Sequence, residues 1–193
     1  LVGSEMCIRD RYTTSTLQQS ANNVLGFSAK KTMTVAQKLY QAGYITYMRT
    51  DSVYLAQKAI KEIREVIADK YGKQYLPEKE RYYKNKAKNA QEAHEAIRPT
   101  DFSFDSSKLP SDEARLYNLI WKRAVSSQMN PEIIEDLNIY FEPDAGLKYK
   151  FTFLAKGQKI IFDGFTVVYG TSQEYEAIHY ISNITLAYLF TQD

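Results

Sequence analysis

Residues 13–43 read TTSTLQQSANNVLGFSAKKTMTVAQKLYQAG, and this stretch contains the start and stop signals of two consecutive helices. The hydroxyl side chains of residues 13–15 can cap a first helix, which Gly26 ends. Ser28 can cap a second helix, which Gly43 stops. Two helices joined by a Gly-Phe turn resemble a helix-turn-helix pair. Two packed helices of any α-rich domain would give the same pattern.

The helical pattern continues as far as Met129. A cap at Asp51 or Ser52 and a stop at Gly72 enclose a long helix. Its apolar stripe keeps the i, i+4, i+7/8 spacing of one helix face throughout. The stripe consists of Leu55, Ala59, Ile60, Ile63, Val66, Ile67 and Tyr71.

A polar loop and a further helix follow this long helix. Residues 78–90 are rich in lysine and arginine and predict an exposed loop, which could track a phosphate backbone or simply be solvated surface. Pro110 and Ser111 open the next helix. Its predicted buried side is Leu116, Leu119, Ile120, Ala124 and Val125, and its predicted polar side is Arg115, Lys122 and Arg123.

From Asn130 onward the pattern changes to one typical of strands. Residues 137–141, 148–154 and 159–162 alternate or carry β-branched and aromatic side chains. Gly146, Lys156-Gly157 and Asp163-Gly164 separate them as turn signals. The sequence therefore predicts an α+β protein, in which a helical domain precedes an antiparallel sheet.

The predicted organisation has four parts. Residues 1–11 lack a period or a cap and are excluded as a leader of non-native appearance, so Cys7 has no bearing on function. Residues 12–130 form the helical domain and residues 131–170 part of a β-rich domain. Residues 171–193 are an unassigned tail.

The composition excludes several classes of protein. Of the 193 residues, 44% are hydrophobic and 25% charged, which is typical of a globular chain with a core. One cysteine can form neither an internal disulfide nor a cysteine-based metal site. Neither a membrane span nor a signal peptide is visible, so we expect a cytoplasmic protein without a membrane partner.

The charge is unevenly distributed. Residues 1–130 carry 21 Lys+Arg against 14 Asp+Glu, whereas residues 131–193 carry 4 against 9. A basic first part suggests a polyanionic partner, although many ordinary enzymes have a similar excess.

Residues 44–52, YITYMRTDS, contain the candidate chemistry. If residues 44–47 form a short strand, side chains alternate faces, so that Tyr47 and Arg49 project together just before a helix N-terminus that favours anions. A phenol with an ordinary pKa of about 10 needs nearby positive charge to act as a nucleophile. Arg49 can supply it and can grip a phosphate through two N–H groups. The chain has 16 tyrosines, and a tyrosine taken singly is more often a core or surface residue than a catalytic one.

The residues ITYMRTDS at 45–52 resemble the active-site signature of the bacterial type IA DNA topoisomerases, in the topoisomerase I (omega protein) branch. Further blocks are similar to family segments in the same order, and the resemblance covers about residues 12–170. They are TTSTLQQ at 13–19, LGFSAK at 25–30, QEAHEAIRP at 91–99, WKR at 121–123 and FDGF at 162–165. Met48 favours the topoisomerase I branch.

The resemblance implies a function and a set of site residues. Tyr47 would be the nucleophile that forms a 5′-phosphotyrosyl link, and Arg49 would hold the scissile phosphate. His94 would lie near the DNA backbone, unless it is a loop histidine without contact. Arg98 would bind phosphate or form a structural salt bridge. The fold implied for residues 12–130 is a winged-helix-like (catabolite-activator-like) tyrosine domain.

The family also implies partners and a cofactor. Its members would be monomeric, nucleoid-associated enzymes that relax negative supercoils without ATP, and their substrate is single-stranded DNA near a duplex junction. It holds Mg²⁺ in a Toprim domain through acidic residues that include an Asp-x-Asp. No Asp-x-Asp occurs in this sequence, so we expect a fragment that lacks the Toprim domain, binds no metal and is inactive alone.

Two other interpretations stay open at this point. A DNA-binding module without chemistry would use the paired helices and the basic surface, with residues 44–52 buried away from DNA. A truncated chain without an independent role would show no cooperative melting transition.

Overall fold

The computed structural model describes residues 2–6, 10–83, 95–141, 151–170 and 185–190, and no side chain is described at positions 2–6, 141, 151–153, 156 and 185–190. These residues divide into a helical unit within Ile8–Asn130 and a β unit formed by Leu1–Cys7 and Pro131–Asp193. Helices and an antiparallel sheet thus belong to separate units, which confirms the predicted α+β class. Among the described residues, no helix has the length and apolar character that crossing a bilayer requires.

The helical unit contains four α-helices: α1 (Thr14–Leu25), α2 (Ala29–Gln41), α3 (Gln57–Lys70) and α4 (Ser111–Ser126). Short 3₁₀ turns lie at Lys73–Tyr75 and Ser106–Lys108. Helices α1 and α2 begin where the sequence predicts. Thr13 forms a reciprocal capping box with Thr16, and the Ser28 hydroxyl accepts a hydrogen bond from the Lys31 amide.

Gly26 ends α1 in the left-handed conformation, with φ of +69°. Its amide donates to the Asn22 carbonyl, and the Phe27 amide donates to the Ala21 carbonyl. This pair of bonds satisfies the last carbonyls of α1 and turns the chain into α2.

One apolar core joins α1, α2 and α4 with the extended segments between them. Its members are Tyr12, Leu17, Ala21, Phe27, Val35, Ala36, Leu39, Ile45, Met48, Ile97, Leu116, Tyr117, Leu119 and Ile120. All five residues of α4 predicted to face inward are buried. Residues 45–52, which carry the resemblance, therefore contribute two side chains, Ile45 and Met48, to this core.

Arg123, predicted to lie on the polar side of α4, is buried. Its guanidinium lies 4.4 Å from the centre of the Tyr12 ring and donates to the Tyr12 hydroxyl and the Asp10 carbonyl. These two acceptors lie more than 100 residues away along the chain, and the local periodicity could not reveal them.

Arg11 differs from the expectation that residues 1–11 stand outside the fold. Its side chain is buried and donates to the Ser127 hydroxyl and to the carbonyls of Val53 and Arg81. Burial lowers the pKa of Arg11 to about 10. These long-range hydrogen bonds place Arg11 inside the helical unit.

The β unit is a four-stranded antiparallel sheet in the order β1 (Val2–Met6), β2 (Glu132–Phe141), β3 (Phe151–Phe162) and β4 (Thr185–Phe190). The expectation of a turn at Lys156-Gly157 is wrong, because these residues pair with Asn138 and Leu137 inside the β2–β3 ladder. Strands β1 and β4 use segments to which the sequence analysis assigned no structure.

A 3₁₀ turn at Gly164–Tyr169 follows β3. Gly164 has φ of +50°, and a Cβ atom there would collide with the Pro131 carbonyl. The predicted turn at Asp163-Gly164 therefore requires glycine both for its backbone conformation and for the close approach of the chain.

Candidate active site

The signature segment, residues 44–52, is irregular and bends several times between α2 and α3. The predicted strand at residues 44–47 is reduced to one isolated bridge, between Ile45 and Pro99. Exposure nevertheless alternates along the segment. Tyr47 is 42% exposed and Arg49 is exposed, whereas Met48 between them is 1% exposed. The segment thus presents a phenol and a guanidinium to solvent while an apolar side chain anchors it.

Thr14 fixes the backbone beneath these two side chains. Its hydroxyl donates to the Met48 carbonyl over 2.8 Å and accepts from the Thr50 amide over 2.9 Å. Its amide donates to the Thr50 carbonyl over 2.9 Å. The first residue of α1 therefore holds the backbone on both sides of Arg49.

Residues 96–100 hold the other side of the segment. The Thr46 hydroxyl donates to the Ala96 carbonyl and accepts from the Arg98 amide, while the Thr46 amide donates to the Arg98 carbonyl. The Thr100 amide donates to the Tyr44 carbonyl. Three sequence blocks, at residues 13–19, 44–52 and 95–99, therefore meet around Tyr47.

The ring of Tyr47 packs against that of Tyr40, near the end of α2. Their centres are 5.2 Å apart and their planes are inclined at 64°, an edge-to-face arrangement. Among the described residues, the Tyr47 hydroxyl has no hydrogen-bond partner. It is therefore available to a reacting group.

Arg49 makes no ion pair, hydrogen bond or ring contact with any residue that the structure describes. A guanidinium is charged at neutral pH and carries five N–H donors. Its side chain is therefore available to a phosphate near Tyr47.

Arg98 is engaged in a structural ion pair instead. Its guanidinium donates to Glu95 Oε2 over 2.7 Å and to the Pro99 carbonyl over 2.9 Å, and its side chain is only 14% exposed. The other carboxylate oxygen, Glu95 Oε1, accepts from the Ala56 amide over 2.6 Å. Of the two roles considered for Arg98, this geometry favours the salt bridge. His94, the remaining site residue of the sequence analysis, lies outside the described residues.

The predicted anion site at a helix N-terminus after Asp51 is wrong. Helix α3 begins at Gln57, and residues 51–56 have no regular secondary structure. The Ser52 amide is bonded to the Thr50 hydroxyl, and Glu95 already occupies the amide just before α3. Favourable positive charge at this site therefore comes from Arg49 and not from a helix dipole.

The described residues contain no group of three or more His, Cys, Asp or Glu side chains that could hold a metal ion. They do not fit the acidic Mg²⁺ site implied by the resemblance.

Thr14 and Glu95 are the positioning residues that the sequence analysis missed. The sequence pattern indicates Thr14 only as a possible helix cap, and it indicates Glu95 only as part of a block that resembles the family. Both act through bonds to the distant backbone atoms of Thr50 and Ala56. A signal existed in each case, because both residues lie in blocks that resemble family segments.

The fold and the site define an α+β protein whose helical unit displays a tyrosine and an arginine on one anchored segment. A family model described as DNA topoisomerase matches residues 8–186. The chain is 47% identical over 171 residues to DNA topoisomerase 1 of Campylobacter jejuni, covering 82% of this chain and 24% of that protein. It is 45% identical over 175 residues to DNA topoisomerase 1 of Helicobacter pylori, covering 84% of this chain and 23% of that protein.

A solved structure of a topoisomerase I is also similar to this chain. Full-length topoisomerase I from Thermotoga maritima is 35% identical and superposes with a TM-score of 0.74 over 91% of this chain and 29% of that protein. The chain belongs to the bacterial DNA topoisomerase I family, which confirms the resemblance seen in the sequence. It spans about a quarter of the length of these relatives.

Proposed function

We propose that this chain supplies the nucleophile of a type IA DNA topoisomerase. One observation carries the proposal: Tyr47 and Arg49, two residues apart, are both exposed on a segment that Thr14 and residues 96–100 hold in place. An exposed phenol is common in proteins, but an exposed phenol and guanidinium on an anchored backbone, within the family signature, form a specific arrangement.

The reaction is a transesterification at phosphorus. The Tyr47 oxygen forms a bond to the phosphorus atom, the bond from phosphorus to the DNA 3′ oxygen breaks, and that oxygen gains a proton as the phenol loses one. One phosphodiester replaces another, so resealing is the reverse step and requires no ATP. The products are a 5′-phosphotyrosyl link and a free 3′-hydroxyl.

Arg49 has the electrostatic role in this reaction. Its guanidinium can hold the two non-bridging oxygens of the scissile phosphate and offset the negative charge that grows on them in the transition state. Because Arg49 and Tyr47 contact the backbone of DNA and not its bases, these two residues give cleavage little sequence dependence.

The complete cycle extends beyond this chain. A second strand passes through the break before resealing, which relaxes negative supercoils, and the substrate is single-stranded DNA near a duplex junction. The full enzyme acts as a monomer, at the nucleoid, with Mg²⁺ held by a Toprim domain outside the described residues. We accordingly expect the isolated chain to be inactive.

The test is a chimera in which this chain replaces the matched segment of the Campylobacter jejuni relative. With Mg²⁺ and a single-stranded oligonucleotide labelled at its 3′ end, the chimera should form a labelled covalent adduct. With the label at the 5′ end, it should release a labelled fragment instead. Tyr47→Phe should abolish the adduct, whereas Tyr54→Phe, which changes another exposed phenol, should retain it.

An adduct that survives Tyr47→Phe would show that another residue is the nucleophile. The competing interpretation, a DNA-binding module without chemistry, makes a separate prediction. It requires binding of the oligonucleotide to survive Arg49→Ala in a folded chimera that forms no adduct.

A further inference from the structure

We infer that Tyr40 is a positioning residue that holds the ring of Tyr47 in the orientation needed for attack on phosphorus. The inference rests on the proposed function and adds a residue that lies outside the matching blocks. It starts from the edge-to-face contact of the two rings, whose centres are 5.2 Å apart.

The two tyrosines have different supports. Tyr40 belongs to α2, whose inner face is buried through Val35, Ala36 and Leu39. The carbonyls of Leu39 and Tyr40 accept hydrogen bonds from the Tyr44 and Gly43 amides, which fix the end of the helix. Tyr47 lies on irregular backbone, which Thr14 and Thr46 anchor through hydrogen bonds. The Tyr47 side chain itself makes no hydrogen bond to any described residue.

The ring contact restricts the orientation of Tyr47 without involving its oxygen. In an edge-to-face contact the attraction is between the edge of one ring and the face of the other, so the hydroxyl stays free for proton transfer and for the bond to phosphorus. Tyr40 and Tyr47 are 40% and 42% exposed, so ordinary burial does not hold either ring in place.

The contact does not use the Tyr40 hydroxyl, which has no hydrogen-bond partner among the described residues. Tyr40→Phe should therefore behave as the unmodified protein does. Tyr40→Leu keeps a large apolar side chain and good helix propensity but removes the ring. We expect Tyr40→Leu to lower the rate constant of cleavage about three- to tenfold, which is the interaction energy of an edge-to-face pair expressed as a change in rate.

The experiment uses the chimera described above with the variants Tyr40→Leu, Tyr40→Phe and Tyr54→Leu. The rate constant for adduct formation is measured in single turnover at saturating oligonucleotide. The dissociation constant is measured separately for each variant in a Tyr47→Phe background. We expect Tyr40→Leu to lower the rate constant with little change in the dissociation constant, and both Tyr40→Phe and the control Tyr54→Leu to match the unmodified chimera.

Three results would overturn the inference. An unchanged rate constant in Tyr40→Leu would show that the ring contact has no effect on attack. An equal loss in Tyr40→Phe would assign the effect to the hydroxyl. Weaker binding with an unchanged rate constant would indicate that Tyr40 stacks on a base. In each case, loss of the adduct in Tyr47→Phe would leave the proposed function standing.

Discussion

Thr14 shows how much one hydroxyl can contribute to an active site. It donates to one carbonyl and accepts from one amide of the signature segment, on either side of Arg49. Replacing it by an apolar group of the same shape leaves the Met48 carbonyl and the Thr50 amide without these partners. The position of Arg49 then depends on fewer contacts.

Thr14→Val should lower the free energy of unfolding by about 1–3 kcal/mol, because two half-buried backbone groups lose their hydrogen bonds. Urea denaturation of the chain measures this change. Ser15→Ala, at an exposed neighbouring hydroxyl, is the control and should change stability by no more than about 0.5 kcal/mol. Equal stability of the two variants would show that Thr14 does not anchor the segment.

Arg98 offers a second test at the residue scale. If its role is the ion pair with Glu95, Arg98→Met should lower the free energy of unfolding by about 1–3 kcal/mol, because a partly buried carboxylate loses its partner. Arg49→Met, at an exposed guanidinium, should leave stability within about 0.5 kcal/mol. Loss of DNA affinity with unchanged stability in Arg98→Met would instead support a phosphate contact.

At the scale of elements, the turn between α1 and α2 sets the direction in which α2 carries Tyr40. Gly26 makes this turn in the left-handed conformation, and a Cβ atom there would meet nothing within 4 Å. Position 26 thus favours glycine because of its left-handed backbone conformation, and not because a side chain would collide with its surroundings.

Gly26→Ala should cost about 1–2 kcal/mol of stability, the penalty of a left-handed alanine. Gly26→Asn should cost less, because asparagine tolerates this conformation. Thermal unfolding of both variants and of the unmodified chain measures these two losses of stability. If alanine were tolerated as well as asparagine, the turn would not depend on the left-handed conformation.

Helix α3 illustrates an element whose start was decided by tertiary contacts. The apolar stripe predicted its body correctly, since Ala59, Ile60, Ile63 and Ile67 are buried. The sequence predicts that the helix begins after a cap at Asp51 or Ser52, whereas in the structure it begins at Gln57. Hydrogen bonds with Thr14 and Glu95, made at Thr50 and Ala56, hold the two ends of the intervening non-helical segment.

At the scale of the whole molecule, the buried phenols make stability depend on pH. Burial raises the pKa of Tyr117, and its hydroxyl donates to the Asp101 carbonyl. Above about pH 10 an unfolded tyrosine loses its proton while folded Tyr117 keeps it. The folded state then binds more protons, so the contribution of Tyr117 to stability falls as the pH rises.

Tyr117→Phe should therefore flatten the loss of stability above pH 10 by at most about 1.4 kcal/mol per pH unit. Arg11, whose pKa is lowered to about 10, contributes with the opposite sign in the same range. The informative quantity is accordingly the difference between the variant and the unmodified chain in urea denaturation from pH 8 to pH 11. Parallel curves would contradict a raised pKa at Tyr117.

Local patterns were sufficient for the helix caps at Thr13 and Ser28, the stop at Gly26, the inward face of α4 and the α+β class, because neighbouring residues alone specify them. The order of the signature residues was likewise sufficient to indicate the family and to nominate Tyr47 and Arg49. These features depend on spacing along the chain, which a sequence records directly.

Contacts between distant residues settled the rest. Burial of Arg11 and Arg123, pairing of β1 and β4 into the sheet, the late start of α3 and the engagement of Arg98 by Glu95 all follow from such contacts. So does the packing of Tyr40 against Tyr47. A charge or an aromatic ring is stabilised by whichever groups surround it in space, and the chain reveals those neighbours only once it is folded.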